Sequence, residues 1–301
     1  MQSPGKHVPL GAGLLLALVP WATAPASEGV QEAPASRSDR QLVGELSYGY
    51  STGDYGTETD TDLHTVTARL RWLLRRAELR IALPYVHMSN EGNVVLVGGQ
   101  PVAPGGFPLL DGLLPPLGGG DSSPPGDATS SERRTESVSG NGDVKARAEV
   151  LLLEGTTSSP WLSAVAEVKA PTGDESKGLG TGETDVTAGL GLVQPLGRAS
   201  ALLDGSYTRL GDPEGVDLDD VVSLGAGLAI RAGEHPGRQL YAYLENRTHP
   251  IAGLEDRRDL LVGFSSRFGE ARQGRLSVGL AYGLSETAEQ LGVTFGLGRA
   301  F

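Results

Sequence analysis

From Gln41 to the end of the chain, hydrophobic and polar residues alternate with a period of two. In the first run Leu42, Leu46 and Tyr48 occupy even positions, whereas Glu45 occupies an odd one. Successive side chains of a β-strand point to opposite faces, so the pattern predicts strands with one apolar face and one polar face. We count about twelve such runs, each close to the nine to eleven residues that a tilted strand needs to cross a membrane.

The second and third runs indicate how neighbouring strands pair. A fold at Arg75-Arg76 matches their apolar positions with one another: Trp72 with Leu79, Leu70 with Ile81, and Val66 with Tyr85. A shift by one residue would turn every side chain to the wrong face, so the match predicts a hairpin in this register. The same register sets His64 opposite His87. Because no third ligand is in view, we expect an interfacial pair, with a metal clip or part of an enzyme's rim as alternatives.

The composition of the two faces distinguishes a membrane barrel from a soluble β-sandwich. The apolar faces consist of Leu, Val, Ala and Gly, with Ile only at positions 81, 230 and 251, and several polar faces carry multiple charges. This division suits a polar lumen and a lipid-facing exterior better than a packed sandwich core. Short and long connections also alternate, as periplasmic turns and external loops do. The sequence predicts an all-β, transmembrane, antiparallel up-and-down barrel over residues 41–301, with a long external loop at 89–142.

The two ends of the chain point to export and to the bacterial outer membrane. Residues 1–26 combine the positive Lys6, an apolar run from Leu10 to Val19 and an Ala24-Pro25-Ala26 cleavage site, which predicts a signal peptide. Residues 27–40 are predicted to be a flexible periplasmic tail. The chain ends on Phe301, and a terminal aromatic residue resembles the recognition signal of outer-membrane barrels. We therefore expect the barrel assembly machinery, outer-membrane lipid and lipopolysaccharide as partners.

Composition excludes several kinds of chemistry. The 301 residues contain no cysteine, which rules out disulfides, thiol nucleophiles and Cys-ligated metals. The 25 Lys and Arg against 37 Asp and Glu give a formal charge of −12, which argues against nucleic-acid binding. Gly178–Gly182 lacks the strand and helix that a dinucleotide-binding fingerprint needs, and no Ser-His-Asp arrangement can be assembled. We predict neither an enzyme nor a cofactor or metal site.

Charged residues recur on the polar faces of the predicted strands, where they would line the lumen. The candidate lining residues of the solute path are Arg69, Arg71, Asp143, Lys145, Arg147, Glu149, Glu167, Lys169 and Asp185. In a lumen these charges stay solvated, whereas a charge on the lipid face costs about 2 to 4 kcal/mol at the midplane. Unlike charges on adjacent strands can form a ladder of ion pairs, and the alternative is a constriction that contacts the solute. A lining of both signs predicts weak ion selectivity.

The segment Asn141–Val193 carries motifs with a family resemblance. The motifs are Asn141-Gly142-Asp143, Lys169-Ala170-Pro171-Thr172-Gly173 and Leu179-Gly180-Thr181-Gly182 with Asp185. The segment resembles the outer-membrane family named for the MetA pathway of phenol degradation, whose members are regarded as transporters. The resemblance implies a monomeric barrel that passes small, often aromatic or apolar, compounds. The stretch of about fifty residues from Ser89 departs from the family pattern.

Together these features predict an outer-membrane pore or transporter for the passive passage of small compounds, including apolar or aromatic ones. The alternative is a barrel that does not transport, either a surface or adhesion structure or an outer-membrane enzyme. The long loop contains apolar residues at Val94–Val97 and Val102–Gly120 among Pro and Gly. Such a loop could cover the pore, fold into it or simply fray.

Overall fold

The computed structural model describes residues 40–55, 60–90, 94–102, 136–213, 215–233, 237–269 and 273–301. The predicted signal peptide and residues 27–39 of the predicted tail lie outside the described residues. Within the described ranges the chain forms fifteen strands and one short 3-10 helix, Glu175–Lys177. In the same ranges, no helix has the length and apolar character needed to span a membrane.

The strands follow one another around a closed sheet. They are β1 (Arg40–Gly53), β2 (Thr61–Leu74), β3 (Ala77–Asn90), β4 (Val95–Val97), β5 (Gln100–Val102), β6 (Glu136–Asn141), β7 (Val144–Leu153), β8 (Trp161–Ala170), β9 (Asp185–Leu196), β10 (Ala199–Arg209), β11 (Val221–Arg231), β12 (Arg238–Arg247), β13 (Arg257–Phe268), β14 (Gly274–Gly283) and β15 (Leu291–Ala300). β1 pairs with both β2 and β15, and β3 pairs with β2, β6 and β7. With β6 and β7 counted as one interrupted strand, the described residues form the predicted antiparallel barrel of twelve strands.

The register of the β2–β3 hairpin is the one that the apolar pattern predicts. Trp72 pairs with Leu79, and the remaining predicted partners also face each other: Leu70 with Ile81, and Val66 with Tyr85. The Arg75-Arg76 turn connects the two strands directly. Matching of apolar faces on both strands was therefore sufficient to set the register.

Large hydrophobic side chains cover the outside of the barrel. Leu46, Leu83, Leu190 and Leu244 are each more than half exposed, at 57%, 53%, 52% and 53%. Equivalent exposed residues lie on every barrel strand from β1 to β15 except the short β6. A belt of this size is unfavourable in water but is the normal exterior of a barrel in lipid.

The connection between β3 and β7 is shorter than the predicted loop at 89–142. β3 continues to Asn90, and β6 lies in the barrel wall, where Tyr85 pairs with Asn141 and Met88 with Val138. β6 has the sequence Glu-Ser-Val-Ser-Gly-Asn, in which a single apolar residue gives almost no alternation signal. Backbone pairing with β3, rather than side-chain pattern, places this strand in the wall.

The lumen is not charged throughout, in contrast to the expectation of a polar lining. Strands β8 to β14 contribute an apolar cluster to it: Trp161, Val193, Leu202, Ala229, Tyr241, Tyr243, Leu261 and Ala281. The tyrosines lie flat over glycines of neighbouring strands. A Cβ added to Gly225 would be 1.5 Å from Tyr243 Oη, and one added to Gly263 would be 2.3 Å from Tyr241 Cζ. An aromatic ring packed on a glycine of the neighbouring strand fills space and also fixes the register of the two strands.

Substitution of Gly225 tests this packing. Gly225→Val places its side chain where the Tyr243 ring lies, so we expect a loss of about 1–3 kcal/mol in the free energy of unfolding. Ala226→Val is the matched control, because Ala226 is exposed on the opposite face of the same strand. Urea unfolding in vesicles measures both variants. Equal stability of the two would mean that Tyr243 does not depend on Gly225.

Candidate functional site

One buried lysine joins three strands at the end of the barrel that carries the longer loops. Lys169 Nζ lies 2.9 Å from Asp143 Oδ2 and 3.1 Å from Asp185 Oδ2, and it donates a hydrogen bond of 3.2 Å to Thr181 Oγ1. The side chains of Lys169 and both aspartates are no more than 6% exposed. Lys169 and Asp185 are direct partners in the β8–β9 ladder, as expected for cross-strand ion pairs. We call these four residues the lysine cluster.

The lysine cluster fixes the connection between β8 and β9. The Gly173 backbone N–H donates to Asp143 Oδ1 at 2.8 Å. Gly180 lies against the same carboxylate, because a Cβ there would be 2.8 Å from Asp143 Oδ1. The glycines of the Lys-Ala-Pro-Thr-Gly and Leu-Gly-Thr-Gly motifs thus let the backbone approach the buried Asp143 carboxylate closely. Their role in this structure is to hold residues 171–184 over the barrel opening.

A short hairpin from the long connection lies inside the barrel mouth. Its strands β4 and β5 pair Val95 with Val102, and we call Val94–Val102 the plug hairpin. The Leu96 backbone N–H donates to the Gly178 carbonyl at 2.9 Å, which ties the plug hairpin to residues 171–184. Of the three alternatives for the long loop, the described part folds into the pore. Residues 103–135 lie outside the described part of the chain.

Two apolar clusters hold the plug hairpin from opposite sides. On one side Val94 and Leu96 join a buried cluster with Leu63, Val86, Met88 and Leu179. On the other side Val95, Val97 and Val102 join Leu210, Val216, Leu218 and Val221. The alternating residues of β4 therefore point to different walls, as side chains of a strand do.

The tip of the plug hairpin reaches the charged lining. Gly98 and Gly99 form the turn with φ values of 59° and 81°, which favour glycine. The Gly98 carbonyl is 3.5 Å from Lys145 Nζ. A Cβ on Gly98 would lie 3.6 Å from Arg247 Nη2 and 3.8 Å from Asp185 Oδ2. The tip of the plug hairpin thus lies next to Asp185 of the lysine cluster.

Arg69, Arg71 and Arg147 each pair with a carboxylate elsewhere in the barrel wall. Arg71 donates two hydrogen bonds to Glu78, of 2.8 and 2.9 Å. Arg69 Nη1 donates to Ser47 at 2.6 Å and lies 3.6 Å from Glu45 Oε1. Arg147 Nη1 is 3.9 Å from Glu167 Oε2. The buried Glu149 Oε2 has no hydrogen-bond partner among the described residues. Arg69 and Glu167 also line one cavity with Asp143 and Lys145. The role of the nine residues in a solute path stays a prediction.

Glu289 is a buried charged residue that the sequence pattern missed, and it belongs to a group around Arg257. Arg257 contacts Asp259 at 2.6 Å and Glu289 at 3.5 Å. Glu289 lies in the turn between β14 and β15, and burial raises the pKa of its carboxyl group. Residues of a short external turn are usually solvated, so the pattern gave no signal that Glu289 points inward. Arg257 and Asp259 share the lumen face of β13, which was the available signal.

A small cavity separates the plug hairpin from the barrel wall. It has a volume of about 70 Å³. One side is apolar and includes Leu63, Pro84, Val86, Leu96 and Leu179, and the other is charged and includes Arg69, Asp143, Lys145, Glu167 and Arg257. An apolar cavity that binds benzene measures about 150 Å³, roughly twice the volume found here.

Comparison with solved structures identifies the fold. The COG4313 outer membrane channel from Pseudomonas putida F1 has a TM-score of 0.63 at 17% identity, covering 89% of this chain and 99% of that channel. The KdgM porin gives a TM-score of 0.46 at 7% identity, covering 85% of this chain and 99% of that one. The P. putida toluene transporter TodX gives 0.40 at 10%, covering 88% and 91%. No family model and no curated protein matches the sequence.

The similarity to the first of these structures confirms the predicted fold. That channel represents the family that Asn141–Val193 resembles, and its likeness extends along the whole barrel. The chain has the fold of a bacterial outer-membrane β-barrel channel. The fold thus agrees with the apolar exterior and the charged lumen.

Proposed function

We propose that the protein is a passive outer-membrane channel for small compounds and that this structure is its closed form. The observation that carries the proposal is the plug hairpin, which enters the lumen and leaves an amphipathic cavity beside it. A barrel serving only as an adhesive surface needs neither a lined lumen nor a removable obstruction. The channel fold of the first structural neighbour supports the same function.

The cavity lining favours solutes that combine an apolar body with one polar group. The apolar side would accept a ring or a short chain, whereas the charged side offers donors and acceptors of both signs. This preference agrees with the small, often aromatic or apolar, compounds that the family resemblance implies. Because 70 Å³ is about half the volume of a cavity that is known to bind benzene, passage requires the plug hairpin to move.

Solute flux through the purified barrel separates transport from the alternatives. Liposomes containing the protein are loaded with a reporter solution, and entry of phenol, benzoate and glucose is followed. We expect phenol and benzoate to enter faster than through empty liposomes and faster than glucose. A correctly folded barrel that passes none of the three would contradict the channel proposal and favour a surface structure.

The orientation and the assembly route are also part of the proposal. The longer connections at 171–184 and 210–220 would face the cell exterior, and both chain ends would face the periplasm. At the C-terminus the Phe301 backbone N–H donates to the Leu42 carbonyl at 2.8 Å, while its side chain is 74% exposed. An exposed terminal ring is available to the barrel assembly machinery.

Deletion of Phe301 tests the assembly signal. The single backbone hydrogen bond at this position contributes little to the finished barrel, about 1 kcal/mol. We therefore expect a lower yield of assembled barrel in cells but nearly normal refolding of the purified chain in detergent. Phe301→Ala, which keeps the backbone bond, should behave like the deletion. An unchanged yield in cells would show that the ring is not used as a signal.

A further inference from the structure

Two histidines lie together on the outward face of β2 and β3, apart from the lumen. His64 and His87 are direct partners in the ladder, and their ring centroids are 5.8 Å apart. Both side chains are partly exposed. They share the face of Val66 and Tyr85, so the channel proposed above makes no use of them. The sequence placed the two rings opposite each other, and the structure adds what surrounds them.

Each of the two imidazole rings is within hydrogen-bond distance of a hydroxyl group. Tyr48 Oη lies 2.8 Å from His64 Nδ1, and Ser139 Oγ lies 2.6 Å from His87 Nδ1. Neither Nε2 atom has a hydrogen-bond partner among the described residues. When Nδ1 donates its hydrogen to such a partner, Nε2 carries the lone pair that binds metals. Metal-binding histidines usually have this second contact, whereas a histidine pair that serves only as an interfacial filler does not need it.

We propose that His64 and His87 bind a divalent transition-metal ion, of which Zn²⁺ is the reference case. Imidazole nitrogen suits Zn²⁺, Cu²⁺ and Ni²⁺. With Zn–N bonds of about 2.0–2.1 Å and tetrahedral angles, two coordinated rings have centres roughly 5 Å apart, close to the spacing here. The proposal requires both Nε2 atoms to turn toward one ion between the rings.

The site is open, with two ligands from the protein. Among the described residues no group of three or more His, Cys, Asp or Glu is arranged to hold a metal. Water or another solute therefore completes the coordination sphere. Asp62 adds negative charge nearby, two residues before His64 on the same face, and accepts a hydrogen bond of 2.8 Å from Tyr50 Oη. Its carboxylate lowers the cost of bringing a cation to this surface.

A bound ion would cross-link β2 and β3 at the end of the barrel where the plug hairpin connects. Ser139 belongs to β6, so the metal, through the Ser139 contact of His87, would also secure the strand that follows the long connection. Because the ion binds the folded barrel, it should raise the unfolding temperature in a concentration-dependent way.

Zinc titration of the full chain, produced without a polyhistidine tag and folded in detergent, tests the site. Isothermal titration calorimetry should show one Zn²⁺ bound, with Mg²⁺ unable to compete because it prefers oxygen ligands. We expect His64→Ala and His87→Ala each to weaken zinc binding at least tenfold. His249→Ala is the matched control, because it removes an imidazole from a distant turn and should leave the affinity unchanged.

Two further measurements keep the test decisive if a histidine variant fails to fold. Tyr48→Phe keeps the ring and both ligands but removes the hydroxyl partner, and should weaken zinc binding by about 10–100-fold. Cu²⁺ added to the unmodified protein should give an electron paramagnetic resonance spectrum with two nitrogen ligands. No zinc binding by the unmodified protein, equal affinity in the His64→Ala variant, or a copper spectrum without nitrogen coupling would each overturn the proposal.

Discussion

Lys169→Met is expected to lower the free energy of unfolding of the barrel by about 3–5 kcal/mol, the largest effect of any single substitution considered for this protein. The ammonium group is 2.9 Å from Asp143 and 3.1 Å from Asp185, and all three side chains are buried. Methionine fills the same volume but leaves two buried carboxylates facing each other without a cation. The loss arises from those uncompensated charges rather than from the value of one ion pair.

Two control variants separate this cause from a general loss of packing. Lys177→Met removes an exposed partner of Asp174 in the same loop region and should change stability by less than about 1 kcal/mol. A triple variant, Asp143→Asn with Lys169→Met and Asp185→Asn, removes all three charges and should recover part of the loss. Urea unfolding in vesicles measures each variant. A triple variant as unstable as Lys169→Met alone would contradict the electrostatic explanation.

The second large effect is expected at the outer wall. Leu190 lies at the middle of β9 and is 52% exposed on the outward face. Leu190→Arg places a charge at the hydrocarbon midplane and should cost about 2–4 kcal/mol. Gly191→Arg is the matched control, since residue 191 faces the lumen directly opposite Asp204 and a charge there has a partner.

Unfolding of both arginine variants in lipid vesicles compares the two faces directly. We expect Leu190→Arg to be the less stable variant and to assemble poorly in cells. Greater destabilisation by Gly191→Arg would reverse the assignment of the inner and outer faces of β9.

Strand positions and faces followed from the sequence because two faces of different polarity constrain each strand. In β2 and β3 both strands have one apolar and one polar face, so the sequence alone was enough to pair Trp72 with Leu79. The lumen orientation of Lys169 and Asp185 followed from the same parity. Pairing of Lys169 with the unlike charge of Asp143 on the adjacent strand was expected in the same way. The contacts that Gly173 and Thr181 make with this cluster were not, because they depend on how residues 171–184 fold.

The sequence of the plug hairpin contains a hairpin pattern, but the composition of the surrounding loop made it hard to recognise. The apolar triplet Val95–Val97 and the short segment Gln100–Val102 flank Gly98-Gly99, which is a hairpin pattern. The Pro and Gly residues that follow made the whole stretch resemble irregular chain. The packing of Tyr243 against Gly225 could not be predicted either. The alternation pattern shows which face a side chain occupies, but it does not show which glycine on the neighbouring strand leaves room for it.

In the proposed channel the plug hairpin must move for solutes to pass, and an engineered disulfide that prevents this movement is the sharpest test. A Cβ on Gly178 would lie 3.6 Å from Val95 Cγ2 and 3.7 Å from Val95 Cα. The same Cβ would lie 3.2 Å from the Val94 carbonyl oxygen, so residue 178 contacts the hairpin at residues 94 and 95. A disulfide needs Cβ atoms about 3.5–4.5 Å apart, and a side chain in contact with residue 95 is a suitable partner. The chain has no cysteine of its own, so Val95→Cys with Gly178→Cys gives a single possible bond. The left-handed backbone at Gly178 adds a cost of about 1–2 kcal/mol that the barrel can tolerate.

The measurement is single-channel conductance in planar bilayers with the double variant oxidised and then reduced in place, and Val95→Cys alone as the control. We expect oxidation to abolish openings and to stop phenol flux, because the bond prevents the plug hairpin from moving. Reduction should restore both, and the single variant should be insensitive to redox state. Equal conductance and equal phenol flux in the two redox states, with the disulfide confirmed by mass spectrometry, would contradict it.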